Sequence, residues 1–531
     1  MDPELSSLVG GWLGAHMDRR EMLKRLSALG LSMPLASAVL AACATGTSTS
    51  SSTSTTSSKP KLTVSIVQEP TTMDIVADAT ASIALTLRDN LYEGLVRMDS
   101  GGAITPSLAK SWDVSADGRT VTFHLQSGVK WHDGSPFTAA DVKWSWDRAG
   151  DAATKPANPH KDYWKPVTSV DVVDDHTVKV TLAAYSDNWL FHMTSGSAAI
   201  ISQKSNATNA ANPVGTGPFK FGSWNRGSSL ALTRNDGYWG QKAKLKDIEF
   251  RFIKDPNSQN SALQAGDIDA IGQVGGPEQL AAFKSNSQFK VLTGEAFGKI
   301  MVSLNNGSGP TKDVKIRKAI NMAIDKKAWI DGIQAGYAKP IGSHSAPNPG
   351  EPYYVDENGV NPYDPAKAKQ LVADAGFGSG LTLRLAQISA FPYAVRGTDI
   401  LVSQLKAIGI TVKVEPMEFA IWLKSVFTGG DYDMTIINHI EERDIANYAN
   451  PKYYWRYSNS QVADWLTKAD AEPDKAKRNA LYAQVEKQLA DDAANAWVMS
   501  PNALAVTKAN LHEWPIQGIS PALFFGNTYF S

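Results

Sequence analysis

The sequence is short of cysteine: Cys43 is the single cysteine among 531 residues. One thiol excludes an internal disulfide and every metal centre that is built from several closely spaced cysteines. An excess of charge of either sign is also lacking, since 52 lysines and arginines face 53 aspartates and glutamates. A net charge of -1 gives no reason to expect binding to nucleic acid or to an anionic membrane surface.

The motifs of common catalytic sites are lacking too. The chain has no Gly-x-Ser-x-Gly nucleophile elbow, no His-Glu-x-x-His pair and no P-loop, and its nine histidines do not cluster. Direct coordination of a metal is therefore not expected, and no cofactor is indicated. Glu441, Glu442 and Asp444 could form the carboxylate pair of a secreted glycoside hydrolase, but acids this close in one loop are weak evidence. We expect a protein that is not an enzyme.

The N-terminal segment has the pattern of a secretory signal peptide. Basic residues within 19–25 precede a short apolar run at 26–40, and small residues lead to Cys43. Leu40-Ala41-Ala42-Cys43 resembles the bacterial lipobox, whose cysteine carries the lipid and begins the mature protein. We predict a leader and signal peptide over 1–42 and lipid attachment at Cys43. The alternative is an ordinary signal peptide with an incidental cysteine.

A tract of serine and threonine at 45–58 separates this segment from the body of the chain. The tract has no apolar periodicity and cannot recover the entropy that ordering would cost, so we predict that it is disordered. Residues 43–59 would then form a lipid anchor and its tether. No later segment approaches the roughly 20 apolar residues of a membrane helix. The body is therefore expected outside the cytoplasm, anchored by lipid to the outer face of the bacterial cytoplasmic membrane.

Hydrophobic spacing predicts a body of mixed strands and helices. Strands are predicted at 61–67, 300–305, 381–386 and 410–417, and helices at 80–95, 314–332, 365–375 and 398–408. Asp117-Gly118 between two alternating runs predicts a β-hairpin, and Asp364 is the predicted cap of the helix that follows it. The alternation of helices with strands after 300 indicates an α/β lobe, and the length of the chain indicates more than one domain.

A series of short motifs runs in order along the body. The motifs are NLYEGL at 90–95, PSLAKSW at 106–112, GVKWHDG at 128–134, FTAADV at 137–142, GTGPF at 215–219, NDGYW at 235–239, GDID at 266–269 and VKIRKAI at 314–320. In this order they resemble the peptide/nickel-type family, family 5, of extracellular solute-binding proteins of ABC importers. Dipeptide and oligopeptide receptors typify this family.

The resemblance implies an α/β, two-lobed periplasmic-binding-protein fold with an extra domain inserted in the first lobe. The first lobe would comprise 60–103, 214–297 and 498–531, the extra domain 104–213, and the second lobe 298–497. The implied function is that of a monomeric receptor outside the cytoplasm. Such a receptor closes its lobes on a small ligand and delivers it to a membrane permease that works with ATPase subunits.

The resemblance also implies where a ligand would be held. In dipeptide-binding members, an aspartate of the second lobe takes the ammonium group of the ligand, and an arginine takes its carboxylate. The corresponding window, 432–457, carries a longer acidic insertion here, so Glu441, Glu442 and Asp444 are all candidates for the ammonium group. Arg396 is the candidate for the carboxylate, with a surface arginine as the alternative. We expect the acidic loop to face Arg396.

The remaining candidates for lining the pocket are Asn438, His439, Tyr393 and Trp422, and core packing is the alternative for the aromatic rings. The expected ligand is a dipeptide, an oligopeptide or a related compound with a carboxylate or amide group. The alternatives are an aromatic acid or hydrazide, an opine, an oligosaccharide or a metal chelate. A secreted hydrolase is the alternative to a receptor.

Overall fold

The computed structural model describes residues 60–77, 80–440, 443–516 and 522–531. The predicted signal peptide, Cys43 and the tether lie outside the described residues, as do Glu441 and Glu442. Within the described ranges, no helix combines the length and the apolar character of a membrane span.

A seven-stranded mixed sheet forms the first lobe. Across the sheet, its strands are Phe289–Gly294, Ala503–Lys508, Ala270–Ile271, Lys61–Ile66, Asp247–Phe252, Ser229–Arg234 and Phe219–Asn225. Lys61–Ile66 is parallel to both of its neighbours, and every residue of it after Lys61 is buried, as expected for a strand that is covered on both faces. The helices of this lobe are Ala81–Leu87, Pro256–Ala265 and Ala281–Lys284, and two strand pairs flank it: Val96–Met98 with Ile104–Pro106, and Leu511–His512 with Tyr529–Phe530.

A four-stranded antiparallel sheet forms the extra domain on the first lobe. Its strands, in order across the sheet, are Ala109–Val114, Thr120–Leu125, Thr177–Leu182 and Val167–Asp174, and its helices are Ala139–Gly150 and Asp187–His192. The predicted hairpin is confirmed: Gly118 has φ 68°, and the Asp117 carboxylate accepts from the Arg119 N–H. The rings of Phe123, Trp146 and Trp189 pack together in a core that continues into the first lobe.

A six-stranded sheet forms the second lobe. Its strands, in order across the sheet, are Ala338–Pro340, Ala496–Pro501, Lys299–Leu304, Met434–His439, Leu381–Ile388 and Ile410–Met417. Ile300 and Val302 pack into the core on one face and Met301 into the core on the other, because successive side chains of a strand alternate. Helices cover both faces: Val314–Ala323, Lys326–Gln334, Pro365–Val372, Pro392–Ala407, Phe419–Trp422, Ser460–Asp470 and Lys475–Asp491, with irregular helical turns at Ala373–Phe377 and Leu423–Thr428.

The two large sheets are joined by two short connections. Residues 295–298 lead from Phe289–Gly294 to Lys299–Leu304, and Asn502 leads from Ala496–Pro501 to Ala503–Lys508. Two sheets with separate cores and two connections make the α/β, two-lobed fold that we predicted. The predicted boundary between 497 and 498 falls inside a strand of the second lobe, and the domain boundaries as a set stay a prediction.

Two predicted helices are shorter than their hydrophobic spacing indicated. The helix predicted at 314–332 is divided, because Ile324 is extended and the Asp325 carboxylate caps a second helix by accepting from the Ala328 N–H. The helix predicted at 80–95 ends at Leu87, where Arg88 is extended. The Asp364 cap is confirmed, since its carboxylate accepts from the Lys367 N–H.

A buried ion cluster lies at the start of the central strand of the second lobe. Lys299 Nζ lies 3.0 Å from Glu351 Oε1 and 3.1 Å from Asp444 Oδ1, and the lysine side chain is 0% exposed. Burial lowers the pKa of Lys299, but Asp444 and Glu351 outweigh burial and raise the pKa above its usual value. The lysine therefore stays charged inside the lobe and ties two distant segments to the strand.

We expect Lys299→Met to lower the free energy of unfolding by about 3–5 kcal/mol, because two carboxylates would stay buried without their cation. Urea unfolding at pH 7, followed by tryptophan fluorescence, measures the loss. Lys143→Met is the control, because Lys143 forms an exposed pair with Asp147, and its loss should be below about 0.5 kcal/mol. Equal losses in the two variants would contradict stabilisation by the buried charge.

Candidate functional site

A cavity of about 420 Å³ lies where the two lobes meet, beside both connections. This volume is within the range of clefts that hold small molecules. The first lobe contributes Leu85, Gln273, Val274, Trp514 and Leu523, the second lobe Ile300, Gln334, Tyr393, Asn438 and Ile440, and the connections Ala296, Gly298 and Asn502. Among the described residues that line the cavity, none carries a formal charge.

Side chains along the strand Met434–His439 and at the residue after it point alternately toward the cavity and toward the core of the second lobe. Asn438 and Ile440 line the cavity, whereas Ile437 and His439 are buried on the opposite face. The Asn438 N–H donates to the Tyr393 hydroxyl over 3.1 Å, which joins the strand to the helix Pro392–Ala407. Asn438 and Tyr393, two of the predicted pocket residues, therefore lie together on the cavity wall, and their contact with a ligand stays a prediction.

Two buried polar atoms of residues on the cavity have no hydrogen-bond partner among the described residues. They are the acceptor Asn438 Oδ1 on the second lobe and the donor Trp514 Nε1 on the first. A buried polar atom without a partner costs about 1–3 kcal/mol. Asn438 and Trp514 thus line one cavity from opposite lobes, and a ligand that reached and paired with both buried atoms would recover that cost.

Trp514 was missed from the sequence. Its ring packs against Phe525 with centroids 5.3 Å apart, which holds the indole at the cavity. The one signal that could have indicated it is the pair Trp514-Pro515 near the C-terminus, where a bulky ring precedes a residue that ends regular structure.

Arg396 lies on the same helix as Tyr393 and contacts the opposite lobe. Its Nη2 is 3.4 Å from Oε1 of Glu278 in the first lobe, and the two side chains are 43% and 47% exposed. Exposed pairs of this kind contribute at most about 1 kcal/mol. Arg396 lies three residues after Tyr393 in one helix, so the two side chains share a face. Of the acids expected to face Arg396, Glu441 and Glu442 lie outside the described residues.

Asp444 does not lie where we expected it, because its side chain points into the second lobe. Its Oδ1 lies 2.7 Å from His344 Nε2 and 3.1 Å from Lys299 Nζ, and its Oδ2 lies 2.8 Å from His439 Nδ1. Burial raises the pKa of Asp444, but His344 and Lys299 outweigh burial and hold the pKa well below its usual value. With both oxygens engaged inside the lobe, this carboxylate does not face Arg396.

His344 extends the cluster into a hydrogen-bonded chain. Burial lowers the pKa of His344, and Asp444 opposes that shift. One ring nitrogen of His344 contacts Asp444 over 2.7 Å, and the other contacts the Tyr448 hydroxyl over 3.2 Å. Asn495 Nδ2 donates to the Tyr448 hydroxyl over 2.8 Å. Asp444 is thereby tied to the middle of the second lobe.

His439 and Trp422 also lie in the interior of the second lobe. His439 Nε2 is 2.7 Å from the Tyr454 hydroxyl, so both ring nitrogens are engaged. The side chain of Trp422 is 3% exposed, and its Nε1 donates to Thr435 Oγ1 over 2.9 Å. For Trp422, the core-packing alternative agrees with these contacts. In the described part of the chain, no group of three or more acidic, histidine or cysteine side chains could hold a metal ion.

Comparison with known protein families gives a match over most of the chain. Residues 103–477 match the family described as bacterial extracellular solute-binding proteins, family 5 middle. The glutathione-binding protein GsiB of Pectobacterium atrosepticum is 30% identical over 440 residues, which are 78% of this chain and 84% of the relative. GsiB of Escherichia coli K12 is 28% identical over 476 residues, which are 85% of this chain and 89% of the relative.

Solved structures agree with this match. DppA of Helicobacter pylori, in complex with the peptide STSA, is 26% identical with a TM-score of 0.76 and covers 88% of this chain and 98% of its own. AgaA of A. tumefaciens R10, in complex with agropinic acid, is 28% identical with a TM-score of 0.75 and covers 89% of this chain and 99% of its own. The chain therefore belongs to family 5 of the bacterial extracellular solute-binding proteins, the solute receptors of ABC importers.

Proposed function

We propose that the chain captures a small solute with an amide group, such as a short peptide, in the cavity between its lobes. The observation that carries the proposal is the pair of buried, unpartnered atoms Asn438 Oδ1 and Trp514 Nε1, one on each lobe. An amide group offers the complementary pair, an N–H for Asn438 and a carbonyl for Trp514. A ligand that pairs with both atoms contacts both lobes at once and so favours their closure.

The relatives support an amide ligand. Glutathione is named for the GsiB relatives, and a peptide is bound to the DppA neighbour. The AgaA neighbour binds agropinic acid, which keeps an opine as the alternative. Because the cavity wall is neutral in its described part, hydrogen bonds would select among these ligands within the cavity, and an ion pair would come only from Arg396.

We also propose how the receptor delivers its solute and how it is attached to the membrane. The receptor would bind its solute without converting it and would release it to an ABC permease. Lipid attachment at Cys43 and the tether over 43–59 would hold the body near that permease. Arg396 would take a carboxylate of the ligand by exchanging it for Glu278, its partner at 3.4 Å. Incubating the protein with candidate peptides and looking for cleavage products tests the absence of turnover.

Asn438→Leu should weaken binding of glutathione or of the peptide STSA by about five- to tenfold, because the acceptor for the ligand N–H is lost. The melting temperature of the ligand-free protein should stay equal or rise, since the substitution removes an unpartnered buried oxygen. Isothermal calorimetry and thermal unfolding measure the two quantities.

The matched control for Asn438→Leu is Asn206→Leu, an exposed asparagine of the extra domain. The control should bind like the unaltered chain. Unchanged affinity of Asn438→Leu for every amide ligand that binds would contradict the assignment of Asn438. Binding of amide-free aromatic acids or oligosaccharides alone would contradict the ligand class.

Arg396→Gln should remove the preference for a free carboxylate. The chain should bind a peptide with a free C-terminus about tenfold more tightly than the same peptide with an amidated C-terminus, and Arg396→Gln should bind both alike. Glu278→Gln should strengthen binding of the free acid, since it removes the competing carboxylate. Equal affinity of the unaltered chain for both peptides would exclude this role of Arg396.

A further inference from the structure

The extra domain contacts the second lobe through a compact polar surface around Arg443. Arg443 Nη1 lies 2.7 Å from Asp187 Oδ2 and 3.2 Å from Asn188 Oδ1. The other oxygen of Asp187 lies 3.1 Å from Arg478 Nη2. One carboxylate of the extra domain therefore bridges two arginines of the second lobe.

A second set of contacts supports the same surface. Asp470 Oδ1 accepts from Ser186 Oγ over 3.0 Å and from the Asn188 N–H over 3.2 Å. The guanidinium of Arg443 also lies 3.9 Å from the centroid of the Phe191 ring, within the range of a cation–π contact. We call this set of residues, 186–191 with Arg443, Asp470 and Arg478, the clamp.

The charged groups of the clamp are largely shielded from water. The side chains of Arg443, Asp187 and Arg478 are 15%, 19% and 12% exposed. The pair between Arg396 and Glu278 also joins the lobes, but its side chains are nearly half exposed. A shielded, hydrogen-bonded charge pair contributes more to an association than an exposed one, so the clamp is the stronger of the two contacts.

The clamp lies on the same short stretch of chain as the cavity wall. Asn438 and Ile440 line the cavity, and Arg443 follows three residues after Ile440. Arg443 has φ 55°, a left-handed conformation that a residue with a Cβ seldom adopts, and Asp444 directly after it is held by Lys299. Asp444 therefore fixes the backbone from which Arg443 reaches the extra domain.

We propose that Arg443 is a positioning residue that holds the closed receptor by pairing with Asp187, and that the extra domain thereby controls how long a solute is retained. The partners of the pair belong to different lobes, and within the described residues the backbone passes between those lobes only at 295–298 and at Asn502. The pair consequently forms when the lobes close and breaks when they open. The inference rests on the receptor role and does not depend on which solute is bound.

The test measures lobe closure directly, without ligand. In the full chain with Cys43→Ser, nitroxide labels at Val173→Cys and Lys487→Cys report the distance between the extra domain and the second lobe by double electron–electron resonance. Both positions are exposed. Arg443→Met should reduce the short-distance population about tenfold relative to the long-distance one, and Arg443→Lys, which keeps the charge, should recover part of it.

The control is Lys477→Met, an exposed lysine next to Arg478, which should leave the distance distribution unchanged. In an Asp187→Asn background, Arg443→Met should have little further effect, because the two side chains act as one pair. Identical distance distributions for the unaltered chain and Arg443→Met would overturn the proposal. A change in Arg443→Met that persists in full in the Asp187→Asn background would overturn it too.

A second experiment measures the association and dissociation rates of a ligand. For glutathione, Arg443→Met should raise the dissociation rate about tenfold and leave the association rate nearly unchanged, as expected for a contact that forms after encounter. Stopped-flow fluorescence measures both rates. A dissociation rate that stays constant while glutathione binds would overturn the proposal. Absence of glutathione binding in every variant would count against the ligand proposed above, and the label distances would then decide on the clamp alone.

Discussion

One buried cation, Lys299, sets the geometry of the second lobe where it meets the first. Its side chain is 0% exposed, so its charge has to be balanced inside the protein. The balancing carboxylates, Glu351 and Asp444, come from segments far apart in the sequence. Because Lys299 directly follows the connection 295–298, the ion cluster fixes the lobe at its hinge. Through Asp444 it also holds the chain directly after Arg443 of the clamp.

Because these contacts join residues that are far apart in the sequence, only some parts of the fold and of the site could be predicted. Family motifs and alternating hydrophobicity predicted the two-lobed fold, the hairpin at Asp117-Gly118 and the cap at Asp364. Nothing local shows that Asp444 meets a lysine from a distant strand, so the sequence leaves this interior acid among the three candidates for the ligand. Recognising the strand Met434–His439 would have separated Asn438 from His439, because neighbouring residues of a strand point to opposite faces. The position of Trp514 on the cavity wall depends on how the C-terminal segment folds back onto the first lobe, and residue spacing does not reveal this.

The charges around the cavity are arranged so that its described wall stays neutral. Arg396 is paired with Glu278 of the other lobe, Arg443 with Asp187 at the clamp, and Lys299 with two acids in the interior. Each cation is thus satisfied by the protein, whereas the acceptor of Asn438 and the donor of Trp514 are not. A site built in this way discriminates through hydrogen bonds, since an analogue that lacks the matching group leaves a buried atom unpaired.

Closure must also be reversible, and this limits the strength of the clamp. A contact between the lobes favours the closed form whether or not a solute is present, so it lowers the difference in population that the solute can produce. If the pair between Arg443 and Asp187 were fully buried, each closure would carry a larger desolvation penalty. If the pair were as exposed as the pair between Arg396 and Glu278, it would contribute little to the retention of a solute. Side chains that are 15% and 19% exposed place the pair between these limits, so under our proposal the clamp adds to the closure that a bound solute favours.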